Sequence, residues 1–130
     1  MADAHEIRHY ESAASLIRVH GIIAIIFGSL GSVICLFIML LFGFAISEYN
    51  SYQVINSFIS GFLVFIFGLL PHVYLLVSGI HLLKNPRPPV AKTLIIINLI
   101  VGVFYNLVIL IFAIINLTQI ADYESGYRKR

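Results

Sequence analysis

Long apolar blocks separated by short polar breaks set the pattern of this chain. Gly21 to Ile46 and Thr93 to Leu117 contain no charged residue, and Val54 to Leu83 contains none if its two histidines are neutral. Each block exceeds the roughly 20 residues that cross about 30 Å of hydrocarbon at about 1.5 Å per residue. Backbone amides in hydrocarbon must pair internally, so helices are predicted for all three. The pattern predicts an all-α integral membrane protein with three long transmembrane helices, 21–46, 54–83 and 93–117, inside a domain spanning 21–118. Residues 1–20 read as an N-terminal juxtamembrane amphipathic segment with Ile7, Tyr10, Ala14 and Ile17 on its apolar side. Residues 119–130 read as a polar, basic tail.

The breaks have different chemistry. SEYNSYQ (Ser47–Gln53) suits a polar turn among headgroups. KNPRPPVAK (Lys84–Lys92) carries Pro86, Pro88 and Pro89, which lack the N–H a helix needs and force a stop. Pro71 interrupts the second block and predicts a kink there. Ala45-Ile46-Ser47 has the small-residue look of a signal-peptide cleavage site. The segment of 20 residues before the first block and the block's own 26 residues are both too long for one.

Composition agrees with the pattern. The chain has 130 residues, 60% hydrophobic and 11% charged, and a soluble domain of that size could not hide so much apolar side chain. A net charge of +2 is too small to argue for a nucleic-acid partner. The single cysteine, Cys35, excludes an intramolecular disulfide. Lys and Arg then orient the chain. Arg8 and Arg18 precede the first block, the first connector has none, the second has Lys84, Arg87 and Lys92, and the tail has Arg128, Lys129 and Arg130. Three spans with the N-terminus inside put five of the eight in the cytoplasm. A cytoplasmic N-terminus is therefore predicted. The alternative is a broken or re-entrant third block, turning near Gly102–Asn106, which places all eight on one side. Its arms, at about ten residues each, would reach only mid-membrane.

Helical wheels sort the polar and small residues. Gly21, Ala24, Gly28, Gly31, Ser32 and Cys35 share one side of the first helix, and Gly43 extends that stripe. The second helix has a stripe of Ser57, Gly61, Gly68, His72 and Gly79, with Ser60, Tyr74, Ser78 and His81 on roughly the other side. The third aligns Asn98, Gly102, Tyr105, Ile109, Ala113 and Asn116, with Asn106 at the edge. Small residues let helix backbones approach where the hydrophobic effect cannot drive packing. Gly28, Gly31, Ser32, Gly61, Gly68, Gly79 and Gly102 are accordingly read as helix-packing positions. The asparagines pair across helices or line a polar path. His72 is read as a neutral ring bonded to a carbonyl freed by Pro71, or to an asparagine. Tyr74, Ser78 and His81 lie near Lys84, where a headgroup contact and a ligand site fit equally well. All six acidic residues lie outside the blocks, which argues against a coupled proton or cation transporter.

His5-Glu6-Ile7-Arg8-His9 matches H-E-x-x-H, the helical zinc-peptidase pattern. A catalytic zinc needs a third protein ligand. His20 shares the face but lies 11 residues on, about 16 Å along a helix. A cleft is also missing so close to the first residue. No metal site, cofactor or enzyme activity is therefore expected. Asn116-Leu117-Thr118 matches a glycosylation triplet but abuts the membrane.

The segment Gly68–Leu117, with GIIAIIFGSLGSV before it, SGIHLLK, a short basic connector and a last apolar run, resembles small multi-pass bacterial membrane proteins of unknown function. The resemblance implies a bacterial plasma membrane and carries over no catalytic residue. The expected function is that of a non-enzymatic membrane protein acting through helix packing, as a homo-oligomer or an accessory subunit beside lipid. A small-molecule or ion pore or carrier, holin-like in one form, is the alternative.

Overall fold

The computed structural model describes residues 4–46 and 51–128. The centre of the SEYNSYQ turn and the tail cations Lys129 and Arg130 lie outside the described residues. Every regular element is helical: α1 (Ala4–Ile46), α2 (Ser51–Leu63), a π-helical segment (Val64–Leu69), α3 (Leu70–Lys84), α4 (Pro88–Tyr105) and α5 (Leu107–Arg128). Among the described residues, four helical stretches are long and apolar enough to cross a membrane: 4–44, 53–84, 88–105 and 107–126. The protein is thus an all-α, multi-pass membrane protein by the length and composition of its helices.

The expectation of three long helices is corrected to four. The third block breaks at one residue, Asn106, whose backbone is extended (φ −157°, ψ 104°). Its Oδ1 accepts from the N–H groups of Val108 (3.0 Å) and Ile109 (3.2 Å) and so caps α5. The alternative of a broken last run is the one the structure adopts, but its arms are longer than ten residues. Pro88 and Pro89 sit in the first positions of α4, where a missing N–H costs nothing, behind an extended Arg87. The proline-rich connector therefore narrows to 85–87, and α4 reaches 18 residues. α5 runs through the predicted tail to reach 22.

A second correction concerns the N-terminus. Residues before Gly21 do not form a separate juxtamembrane helix; α1 is continuous for 43 residues. No proline lies between Ala4 and Ile46 to stop it. Pro71 acts upstream of itself. It cannot donate to the Phe67 carbonyl, and the preceding turn widens so that Leu70 N–H bonds Phe65 O, five residues back.

The chain divides into two compact units, Met1–Ile25 with Val77–Arg130, and Ile26–Leu76. The first is built around Ile17, Leu82, Ala91, Ile95, Ala113 and Ile120, drawn from α1, α3, α4 and α5. Glycine is required where these helices meet. A Cβ added at Gly79 would lie 2.6 Å from the Gly21 carbonyl oxygen, and one at Gly102 would lie 2.6 Å from Leu110 N. α4 and α5 pack along each other as a hairpin. Lys92 and Glu124 close its open end with a 2.8 Å ion pair. Both partners are more than a third exposed, so the pair contributes little. In the second unit a Cβ at Gly28 would meet Leu76 N at 2.5 Å, and one at Gly31 would overlap the His72 ring. Gly68 faces Cys35 Sγ.

Candidate functional site

The buried face of α1 in the first unit runs Ala13, Ile17, His20 and Ala24, at helical spacing. His20 is fully buried, although Arg18 and Val19 beside it are exposed. Asn98 of α4, Ser78 of α3 and Asn116 of α5 are buried with it. These four residues come from the four helical segments of the unit and form one polar network.

Its bonds have a direction. Ser78 Oγ donates to Asn98 Oδ1 at 3.1 Å. Asn98 Nδ2 then donates to His20 Nε2 at 3.0 Å. A ring nitrogen that accepts is unprotonated, so the ring proton of neutral His20 sits on Nδ1. The Phe112 carbonyl faces that ring. Asn116 Nδ2 donates to the same carbonyl at 2.8 Å and lies 3.5 Å from His20 Nδ1. Asn116 Oδ1 is buried and has no hydrogen-bond partner among the described residues. A neutral ring is what a site without a carboxylate can hold at low cost.

The other predicted residues are distributed differently. His72 bonds through Nδ1 to the Gly68 carbonyl, four residues back, at 2.6 Å, whereas the carbonyl that Pro71 cannot serve is that of Phe67. Tyr74 is half-buried and His81 exposed. Tyr105 is exposed, its ring 6.5 Å from that of Phe104, and Asn106 caps α5. The third-block stripe survives in two halves. Asn98 and Gly102 lie on the buried face of α4, and Ile109, Ala113 and Asn116 on that of α5. Ser32 is buried, and its Oγ has no hydrogen-bond partner among the described residues. Among the described residues, nothing lies within 4 Å of a Cβ placed at Gly61 or Gly43. The His5 and His9 rings are 4.5 Å apart, and among the described residues no group of three His, Cys, Asp or Glu could hold a metal.

Sequence reasoning placed His20 on the polar face of His5 and His9. The signal that would have found it is its spacing of four from Ala24 and eight from Gly28. That spacing puts His20 on the small-residue stripe. Comparison with known proteins finds no matching protein family, no matching curated protein and no matching solved structure. The resemblance to small bacterial membrane proteins accordingly reduces to its coarse part, a small multi-pass membrane protein.

Proposed function

We propose that this chain is a non-enzymatic plasma-membrane protein that acts through helix packing, as a homo-oligomer or as an accessory subunit of a membrane complex. The observation that carries this reading is the contrast between its glycines. Gly21, Gly28, Gly79 and Gly102 are each pressed against another part of the chain, whereas among the described residues a Cβ at Gly43 or Gly61 would meet nothing within 4 Å. Those two glycines line an apolar groove of about 270 Å³ with Met39, Phe42, Ser57, Phe58, Phe62 and Phe65. Open small residues on an apolar helical surface are where a further helix can approach closely. The hairpin supports an orientation too. With four crossings or a re-entrant hairpin, all eight Lys and Arg flank the same side, which the positive-inside tendency makes cytoplasmic.

Crosslinking in native membranes tests the assembly. Dimers or a crosslinked partner are expected, reduced several-fold by Gly43→Leu with Gly61→Leu while the monomer keeps its thermal stability. Monomer alone at every concentration would sink the reading. A pore or carrier has one observation on its side, the unpartnered Asn116 Oδ1. An aqueous path would bring water to that oxygen.

A further inference from the structure

We infer that the α4–α5 turn ends inside the hydrocarbon, so that the hairpin enters and leaves the bilayer through one face and its tip is a surface for lipid acyl chains. The inference rests on the membrane reading of the chain and goes beyond it. Three observations carry it.

The first is the surface of the tip. Val103, Phe104, Tyr105, Leu107 and Val108 are all exposed, with Phe104 at 76% and Leu107 at 69%. Asn106 is the sole residue between Lys92 and Asp122 that interrupts the backbone helix, and its side-chain oxygen already caps α5. An aqueous turn would leave this apolar surface wet.

The second is backbone satisfaction. Asn106 N–H bonds Gly102 O at 3.0 Å, and Leu110 N–H bonds Asn106 O at 3.0 Å. With Val108 and Ile109 N–H taken by Asn106 Oδ1, four N–H groups of the reversal are paired within the chain. Pairing within the chain is what lets irregular backbone lie at membrane depth.

The third is length. The Lys92–Glu124 ion pair fixes the wet end of the hairpin, since both side chains are partly exposed and charged. Lys92 to Asn106 is 14 residues. At about 1.5 Å per residue that covers about 21 Å, against about 30 Å of hydrocarbon. The tip passes the midplane and stops about 9 Å short of the far side.

Thiol accessibility decides it. In a Cys35→Ser background, Phe104→Cys and Leu107→Cys are each reconstituted into phosphatidylcholine–phosphatidylglycerol vesicles, with Arg87→Cys as the wet-end control. Both tip variants replace exposed side chains, so either can stand alone. A membrane-impermeant maleimide, added outside and then trapped inside, is expected to label Arg87→Cys from one face. It should leave the tip thiols at least tenfold less labelled from both faces, with full labelling after detergent. Rapid labelling of the tip from the face opposite Arg87→Cys would overturn the inference in favour of a complete crossing. Labelling of tip and control from the same face would overturn both it and the membrane reading of the hairpin.

Discussion

Gly79→Leu is expected to destroy the packing of α1 against α3 in the first unit. The position has no room: a Cβ would lie 2.6 Å from the Gly21 carbonyl oxygen and 2.9 Å from both Ile25 N and Ile25 Cγ1. Two of those atoms are backbone, so no side-chain rotation relieves the overlap, and the helices must separate. The facing glycine makes the contact reciprocal, since a Cβ at Gly21 would lie 2.8 Å from Gly79 O. Overpacking a well-filled core commonly costs about 1–3 kcal/mol, and a forced backbone separation belongs at or above the top of that range. Separation would also open the neighbouring His20 network. Denaturation of the purified protein in lipid micelles should show a loss of about 3 kcal/mol or more. Gly61→Leu, at an open position, should leave stability within about 0.5 kcal/mol. Equal stability of the two variants would contradict the packing described here.

Asn98→Leu should be the most damaging change of a single polar side chain. Asn98 is the only bridge described between Ser78 and His20, accepting from one and donating to the other. Its removal strands a buried ring nitrogen and takes one acceptor from the Ser78 hydroxyl. A stranded buried group costs about 1–3 kcal/mol in water-soluble proteins. Interhelical polar contacts in membranes measure lower, about 0.6 kcal/mol on average and about 1.7 at most. A net loss of about 2 kcal/mol is therefore expected. Combining Asn98→Leu with His20→Phe should recover part of it, because the second change removes the stranded nitrogen. Strict additivity of the two losses would show that the residues do not interact.

Much of the helical content was legible in the sequence because the apolar blocks are long and their borders polar. The break in the last block was harder to read. Val103 to Val108 has no glycine or proline and one polar residue, so hydropathy runs through it unchanged. The reversal depends on Asn106 capping two downstream amides, a tertiary choice that a wheel cannot register. Asn98, Asn116 and Ser78 stood out because amides and hydroxyls in apolar blocks demand partners. His20 did not, because it lies one residue before the first block and beside exposed Arg18 and Val19. Its burial follows from α1 beginning at Ala4 rather than near Gly21. The glycine stripes were visible in sequence. Which glycines close against the same chain, and which stay open, required the structure.

Ser78, Asn98, His20 and Asn116 are buried together in the first unit, and the bonds that run from Ser78 through Asn98 to His20 are expected to hold in a bilayer without water. The most direct test is nitrogen-15 solid-state NMR of the His20 ring in lipid bilayers at neutral pH. One protonated nitrogen, Nδ1, and one unprotonated nitrogen, Nε2, are expected, with a through-space contact from Nε2 to the Asn98 side-chain amide and no transfer from water. A doubly protonated ring, or strong water transfer to His20 or Asn116, would contradict the account and place an aqueous path through the unit.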